Sequence, residues 1–433
     1  MDIDANSLRT ACADLGGIMR GARMPGDAAA KLEFSGLRMP LATLGLDLFG
    51  RASEPVSGAT GDGQLRVTDR GPVPMPWLVQ SAAIIPMWMF TEDGRPSPLC
   101  PRHALARVLS RWAKRNWKVT VAPALEFYLV DDTGPVMTPA HAQDTGRPLS
   151  AAQAGSLAQV DAFAPFFDAL FAGAEAMGIA LEDLQSGMGP AQFRLKFKPT
   201  QAMRAADDLW LAKALIRGTA RAQGMAAAFV AKPFDDQPGS GMHLGFWAMA
   251  SNKANVFDNG LQAGSDLLRQ AVAGGVSCLP GAMLAFAPHA SSYARYGSDS
   301  LAPTGASWGY ENRTCALRIP AGDPAERRIE HRTAGSDANP YLALAAVLGG
   351  AVAGIEDDLS PPEPIIGSAY DRRVLQVPLD WDSAIERFSV SPRMARIFPP
   401  ELIEALTAIK RQEQATVAHL SQAETQRALM EAA

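Results

Sequence analysis

The sequence predicts an α+β protein with two domains. At 433 residues the chain exceeds what one compact hydrophobic core usually organises, so two domains are the default expectation. Predicted helices and strands alternate along the chain, but the strands are short and irregularly spaced. Neither glycine-rich fingerprint of the common nucleotide folds, G-x-G-x-x-G or G-x-x-x-x-G-K-S/T, follows a predicted strand. These observations favour an α+β catalytic domain over a doubly wound parallel sheet.

The first hundred residues contain short strand and turn patterns. Residues 7–35 show a helix-like start, followed by a strand, a turn and a second strand, because glycines break the apolar segment. Proline and glycine crowd against charge at 92–102, which predicts a linker, and a helical pattern begins at Pro101. We therefore expect one domain over 1–100 and a second over 101–433.

The second part of the chain alternates strands with helices. The predicted strands are, in order, KVTVAPALEFYLV, QFRLKFKP, AAFVAKPF and MHLGFWAMA. The predicted helices cover residues near 157–177, 202–224, 259–275 and 383–430. The segment NPYLALAAVLGGAVAGI is also predicted to be a helix, with proline in its first turn. It is shorter than the uninterrupted apolar run of ~18 residues that a membrane span needs, so we expect a buried helix.

Composition and charge argue against several classes of function. A net charge of −5 gives no support for a nucleic acid or an anionic membrane as the main partner. Residues 1–10 carry no apolar run, so no signal peptide is predicted. The four cysteines are scattered without a C-x-x-C pair, which predicts reduced thiols, no structural zinc site and a cytoplasmic location.

Polar side chains share one face on several predicted strands. Because side chains alternate along a strand, Val121, Leu125 and Phe127 face the core, and Glu126 lies on the opposite face. A glutamate on so apolar a strand needs a partner, because a lone buried carboxylate is costly. Three more rows of residues share a face in the same way. They are Gln192, Arg194 and Lys196; His243, Gly245 and Trp247; and Arg328, Glu330 and Arg332.

These rows predict either a solvated face or a cavity. A sheet with one solvated face explains any single row. Together with five arginines in one short region, the rows favour an anion-binding cavity, because a planar guanidinium pairs with carboxylate or phosphate through two parallel hydrogen bonds. The five are Arg295, Arg313, Arg318, Arg328 and Arg332.

Segments that carry these rows resemble the glutamine synthetase family in order and spacing. They are LEFYLV, AKPFDDQPGSGMHLGF, SSYARY, ENRTCALRIP and RRIEHRTAGSDANPYLALAAVLGG. The segments ADLGGIMRGARMP and LGLDLFG resemble its small N-terminal domain, so the resemblance covers nearly the whole chain. It implies a β-grasp-like N-terminal domain and a catalytic domain with a curved antiparallel sheet flanked by helices. It also implies a ring-shaped homo-oligomer, often a dodecamer in the family, with active sites between adjacent subunits.

The resemblance also implies a reaction and its cofactors. Family members join the γ-carboxylate of glutamate to ammonia or an amine, after ATP has phosphorylated the carboxylate. Two or three divalent cations, Mg²⁺ or Mn²⁺, neutralise the approaching charges and are held by glutamates and a histidine. The partners implied are therefore a small carboxylate and an amine.

Only part of the implied metal-ligand set is present. Glu126, His243 and Glu330 match metal-ligand positions of the family. At five other site positions the family residue is replaced, by Ala124, Ser186, Arg194, Gly245 and Leu301. We therefore expect at most one, weakened metal site. The flap glutamate expected near Leu301 would close the site and deprotonate ammonia, so its replacement predicts either a larger amine as nucleophile or a different chemistry altogether.

The resemblance assigns binding roles to the arginines. Arg295, Arg313 and Arg332 match positions that hold substrate carboxylates or the transferring phosphate, and Arg313 and Arg332 are expected to be catalytic. Arg318 and Arg328 match positions near the nucleotide phosphates. Gly239 and His243 match substrate-binding positions in the glycine-rich segment, and Asp47 matches a catalytic loop acid that faces the neighbouring subunit.

Arg194 leaves two interpretations open. A guanidinium where the family has a glutamate repels metal, and it either replaces the cation's charge and holds an anion directly, or forms an ion pair with Glu126 that plugs an inactive site.

Three functions are compatible with these site residues. They are a C–N ligase with a reduced metal requirement, a non-catalytic ring-forming paralogue, and an ATP-independent lyase or hydrolase. In the last, Arg194, Lys196, His243 and Glu330 are candidate acid–base and anion-holding groups.

Overall fold

Two large β-sheets organise the chain in a computed structural model, which describes residues 5–29, 32, 36–58, 61–149, 154–298 and 301–432. The N-terminal sheet has the strand order β2-β1-β7-β5-β4, with β3 paired to β1 and β6 to β7. Its strands are β1 Ser7–Ala13, β2 Met19–Arg20, β3 Arg23–Pro25, β4 Leu37–Pro40, β5 Asp62–Val67, β6 Val73–Pro74 and β7 Ala82–Phe90. β1 and β7 run parallel and the other pairs are antiparallel, in agreement with a β-grasp-like unit.

The helix-like start predicted within 7–35 is wrong. Residues Ser7–Ala13 form strand β1, which pairs with β7 on one edge and with β2 and β3 on the other. Because most of this central strand is buried, its apolar residues do not show the alternation that marks a half-exposed strand. The turn and second strand are confirmed at β2, whereas residues 30, 31 and 33–35 of the predicted segment lie outside the described residues.

The second sheet has the order β10-β11-β8-β14-β18-β17-β16, with β9, β12 and β13 paired to β8. Its strands are β8 Lys118–Asp131, β9 Thr138–Pro139, β10 Leu181–Ser186, β11 Gln192–Phe197, β12 Thr200–Gln201, β13 Ala226–Ala228, β14 Met242–Met249, β16 Trp308–Tyr310, β17 Leu317–Ile319 and β18 Ile329–His331. A separate pair joins β15 Gly305–Ala306 to β19 Leu375–Gln376. All pairings in the larger sheet are antiparallel except β16 with β17.

The predicted strands of the second sheet are confirmed with one correction. Only the first two residues of AAFVAKPF lie in the strand Ala226–Ala228, since the chain leaves the sheet before Pro233, which has no N–H to donate. On β8 the predicted core residues Val121, Leu125 and Phe127 are fully buried, so the core lies on this face of the sheet.

Helices cover the core side of the second sheet. The α-helices are Glu54–Ser57, Pro101–Ala113, Leu157–Asp161, Ala164–Ala176, Ala202–Ala222, Asp266–Phe286, Pro340–Glu356, Trp381–Val390, Pro392–Ile397, Pro400–Val417 and Gln422–Ala432. Short 3-10 turns lie at Gly26–Ala28, Leu41–Gly45, Ala290–Arg295 and Pro324–Glu326.

Three predicted helices have different bounds. The helix expected near 259–275 begins at Asp266, because the Ser265 hydroxyl caps it by accepting from Leu268 N at 3.2 Å. The segment 157–177 holds two helices rather than one. The segment 383–430 is interrupted before prolines at 392 and 400, which begin new helices.

Two long helices pack closely at glycines. A Cβ added at Gly274 would lie 2.2 Å from the carbonyl oxygen of Gly350 and 2.6 Å from the Cα of Gly354. Among the described residues, Asp266–Phe286 is the one helix long and apolar enough to span a membrane, but it packs here against Pro340–Glu356. The predicted buried helix is confirmed at Pro340–Glu356, where every residue up to Ile355 is buried.

Replacing Gly274 by alanine should destabilise the protein. The new methyl group meets backbone atoms of the facing helix, which cannot rotate away, so we expect a loss of about 3 kcal/mol in the free energy of unfolding. Urea unfolding measures this loss. Gly61→Ala is the control, because a Cβ there meets nothing within 4 Å, and equal stability of the two variants would contradict the close helix contact.

His103 joins the N-terminal sheet to the helix Pro101–Ala113. Its ring stacks on Trp88 with centroids 4.6 Å apart and meets the edge of Phe90 at 4.8 Å. Burial and, to a smaller extent, the charge of the neighbouring Arg102 together lower the pKa of His103 to about 4, against a hydrogen bond with the Met89 backbone that raises it. Its Nε2 atom has no hydrogen-bond partner in the described part of the chain. The packed ring is therefore neutral at neutral pH.

His103 should make the protein less stable in mild acid. Its pKa is near 6.5 in the unfolded chain and about 4 in the folded chain, so the unfolded state takes up a proton first as the pH falls through this window. We expect His103→Phe, which keeps a ring there, to remove up to about 2 kcal/mol of the acid-induced loss between pH 7 and pH 4. Urea unfolding across this range measures it. Exposed His419→Gln should follow the wild-type pH profile, and an unchanged profile for His103→Phe would refute this role.

Candidate functional site

The second sheet brings the predicted polar rows onto one face. Residues directly opposite each other on neighbouring strands project to the same side of a sheet. The opposed pairs are Arg194 with Glu126, Lys196 with Ala124, His243 with Ala124, Gly245 with Glu330, and Arg318 with Glu330. The predicted joint arrangement, one polar face built from several strands, is therefore present.

Glu330 is held between two arginines on this face. Its Oε1 accepts a hydrogen bond from Arg332 Nη1 at 2.8 Å, and its Oε2 accepts one from Arg318 Nη1 at 3.0 Å. Burial alone would raise the pKa of Glu330, but the charges of Arg332 and Arg318 outweigh burial and hold the pKa below its usual value. Arg332 also donates through Nε to the carbonyl oxygen of Arg313 at 3.1 Å. The carboxylate is ionised, and both of its oxygens are engaged.

His243 lies beside this carboxylate. Its Nδ1 atom is 4.0 Å from Glu330 Oε1 and 3.5 Å from Arg194 Nη2. Burial, followed by the charges of Arg332, Arg194 and Arg295, holds the pKa of His243 well below its usual value. A neutral imidazole with unprotonated Nδ1 accepts from Arg194, so a guanidinium stands next to a side chain that was predicted to bind metal.

Arg194 and Glu126 are opposed in the ladder but form no ion pair within the described residues. Glu126 Oε2 instead accepts a hydrogen bond from Gly241 N at 2.7 Å, which supplies the partner that its apolar strand required. Arg194 Nε is buried and has no hydrogen-bond partner among the residues described. The interpretation of Arg194 as a plug on Glu126 is therefore wrong in this structure.

The glycine-rich segment before β14 makes room for Arg295. A Cβ at Gly239 would lie 2.7 Å from Arg295 Cγ, and a Cβ at Gly241 would meet the Arg295 guanidinium. The buried Arg295 donates to the carbonyl oxygens of Thr333 at 2.8 Å and Arg332 at 3.3 Å. The predicted substrate-binding positions Gly239 and Arg295 are thus in contact, and Arg295 orders the chain that follows β18.

Arg328 lies over the surface left free by Gly245. A Cβ at Gly245 would lie 3.5 Å from Arg328 Cδ. The half-buried Arg328 side chain has no hydrogen bond or ion pair to any described residue. Its donors remain available.

Two acids on this face were not assigned from the sequence. Asp183 forms an ion pair with Lys196, and Glu311 Oε2 lies 2.8 Å from Arg318 Nη2. Glu311 stands in the ENRTCALRIP segment, two residues before Arg313. Its place in a segment that resembles the family could have identified it as a site residue. Asp183 carried no such signal, because its pairing depends on how β10 registers with β11.

The other predicted residues lie outside this cluster. Asp47 is fully buried, and its carboxylate accepts from the backbone N–H groups of Phe49 and Arg51 and from Gln412 Nε2. It thereby ties its own loop to the helix Pro400–Val417, and its role towards a neighbouring subunit stays a prediction.

The remaining predicted positions differ in exposure. Ser186 is buried at the end of β10, and its hydroxyl donates to Ser156 O at 3.1 Å. Leu301 is exposed with a φ of 52°. Arg313 is exposed and lines a cavity of about 480 Å³ together with Tyr310 and Asn312.

The donor set does not fit a divalent cation. Glu330 is engaged by two arginines, Glu126 by a backbone N–H, and His243 faces the Arg194 guanidinium. In the described ranges no three histidine, cysteine or carboxylate side chains are grouped to hold a metal ion. A hard cation such as Mg²⁺ requires several oxygen ligands and is repelled by a nearby guanidinium.

Comparisons with known proteins agree with one another. A family model described as glutamine synthetase, catalytic domain, matches residues 98–428. The γ-glutamylputrescine synthetase of Escherichia coli is 31% identical over 411 residues, which is 92% of this chain and 86% of that protein. The γ-glutamylethanolamide synthetase of Streptomyces coelicolor is 30% identical over 334 residues, 76% of this chain and 70% of that protein. A crystal structure of a novel glutamine synthase homolog shares the fold, with a TM-score of 0.86, 24% identity and coverage of 100% of this chain and 99% of that one.

Replacing Glu330 by glutamine should destabilise the protein strongly. The change leaves Arg318 and Arg332 without their shared countercharge in a buried position, so we expect a loss of about 3 kcal/mol. Chemical unfolding monitored by circular dichroism measures it. Glu92→Gln breaks an exposed pair with Arg38 and should cost less than about 1 kcal/mol. If both variants unfold at the same urea concentration, the buried pairs carry no special weight.

Proposed function

Because the chain belongs to the glutamine synthetase family, we propose that it is a ligase that joins a glutamate-type acid to an organic amine, with ATP activating the carboxylate. The observation that carries the proposal is the arginine-rich face of the second sheet, where Arg318 and Arg332 are fixed by Glu330. Such a face suits a reaction whose substrates are a carboxylate and a phosphate chain.

The names of two relatives favour an amine as the nucleophile. One is a γ-glutamylputrescine synthetase and the other a γ-glutamylethanolamide synthetase, and both names specify an organic amine. The leucine at 301, exposed where a flap glutamate was expected, supports the same choice, since it offers no carboxylate to deprotonate ammonia.

The proposed reaction has two steps. A carboxylate oxygen of the acid attacks the γ-phosphorus of ATP, and ADP leaves. The amine nitrogen then attacks the acyl carbon, phosphate leaves, and the nitrogen loses a proton. Arg313, exposed on its cavity, is proposed to bind the carboxylate of the acid, and Arg332 and Arg318 to stabilise the charge on the transferring group.

The assembly and location extend the proposal. We propose domains over 1–100 and 101–433, a ring-shaped homo-oligomer with active sites between subunits, and a cytoplasmic location, where ATP and amines are available. A non-catalytic ring-forming paralogue is the second candidate, favoured by the complete engagement of Glu330 by arginines.

Product formation tests the proposal. The protein is incubated with glutamate, ATP and one of putrescine, ethanolamine, isopropylamine or ammonium, and the amide is detected by mass spectrometry alongside released phosphate. We expect one organic amine to give at least 10-fold more product than ammonium. Arg313→Ala should raise the KM for glutamate at least 10-fold without loss of folding, because this side chain is exposed.

The matched control and the contrary outcomes separate the candidates. Arg107→Gln, an exposed arginine on the helix Pro101–Ala113, should behave as wild type. No product with any amine would favour the non-catalytic paralogue. Turnover of a small acid without ATP would favour the lyase or hydrolase.

A further inference from the structure

Two guanidinium groups with unused donors lie on the face that carries the predicted metal ligands. Arg194 Nε is buried without a hydrogen-bond partner, and Arg328 has no polar partner, both within the described part of the chain. A buried donor without a partner costs free energy, and a charged donor costs more than a neutral one. The two groups are therefore poised to bind an anion.

Among the described residues, the acids of this face form no ion pair with these two arginines, although the charge of Arg194 helps to lower the pKa of Glu330. Glu330 is shared by Arg318 and Arg332, and Glu311 also contacts Arg318. Asp183 is paired with Lys196. Glu126 accepts from a backbone N–H rather than from Arg194. Positive charge is thus left over at Arg194 and Arg328.

The backbone provides space for this charge. Gly245 has no side chain, and the stem of Arg328 passes over it, with Cδ 3.5 Å from where a Cβ would lie. On the neighbouring strand Ala124, opposite His243, is also small. Arg194 Nη2 lies 3.5 Å from His243 Nδ1, and Arg328 passes over Gly245, two residues further along β14 on the same face. The two guanidinium groups therefore lie above neighbouring positions of one strand.

We propose that Arg194 and Arg328 bind a substrate oxyanion directly and supply the charge neutralisation that a divalent cation would otherwise supply. Two guanidinium groups carry the same formal charge as one such cation, and their planar forks bind phosphate or carboxylate through paired hydrogen bonds. This inference rests on the proposed ligase function, since the oxyanion is the phosphate chain of ATP or the carboxylate of the acid. It predicts anion binding that does not need Mg²⁺ or Mn²⁺.

Calorimetric titration tests this inference with two probes. ATP and glutamate are each titrated into the full-length protein in EDTA and again in Mg²⁺. We expect at least one probe to bind with a Kd in EDTA within threefold of its Kd in Mg²⁺. Arg194→Gln and Arg328→Gln should each weaken that probe at least 10-fold in EDTA. If the variants lose affinity for ATP alone, the bound oxyanion is a phosphate. If they lose affinity for glutamate alone, it is a carboxylate.

Controls keep folding and binding separate. Arg107→Gln removes an exposed arginine and should leave both Kd values unchanged. Arg194→Lys keeps the positive charge but loses the planar guanidinium with its paired donors. It should therefore bind the anionic probe more tightly than Arg194→Gln does. Thermal unfolding of each variant shows whether lost binding reflects lost structure.

The failures of the two proposals are distinguishable. Binding of ATP only when Mg²⁺ is present, with amide product still formed, overturns the inference and leaves the ligase function. Binding in EDTA that depends on Arg194 and Arg328, without any amide product, leaves the inference and overturns the ligase function. Wild-type affinities in both glutamine variants also overturn the inference.

Discussion

The buried Glu330 carboxylate, bound by Arg318 and Arg332, is the interaction on which the rest of the site depends. Arg318 comes from β17, and Arg332 follows β18, so one carboxylate fixes two strands and two side chains. Arg332 continues the network to the carbonyl of Arg313, and its own carbonyl accepts from Arg295. Because breaking a buried ion pair costs far more than an exposed one, this network holds its arginines in one geometry.

The glycine-rich segment before β14 shows how a local sequence pattern serves this network. Gly239 and Gly241 allow the stem and guanidinium of Arg295 to lie against the backbone, and the N–H of Gly241 satisfies Glu126. The segment therefore joins the Glu126 strand to the chain after β18. His243, which follows it, is neutral and lies between the Glu330 carboxylate and the Arg194 guanidinium.

Strand alternation was enough to predict which side chains share the polar face, because a strand with one buried face leaves a strict pattern. It did not reveal which partner each side chain takes. Arg194 contacts His243 rather than Glu126, and Asp183 pairs with Lys196, because sheet register and rotamers decide these contacts. Strand β1 was not predicted for a related reason. Most of its residues are buried, so polar and apolar side chains do not alternate along it. The buried position of Asp47 depends on a distant helix and carries no local signal.

The contact between Gly245 and Arg328 has a consequence for substitutions at position 245. A methyl group there would lie 3.5 Å from Arg328 Cδ, an ordinary van der Waals distance, and 3.1 Å from the carbonyl oxygen of Ala122, a tight contact with the neighbouring strand. The backbone of the neighbouring strand, rather than the arginine, is therefore the nearer obstacle to a side chain at this position.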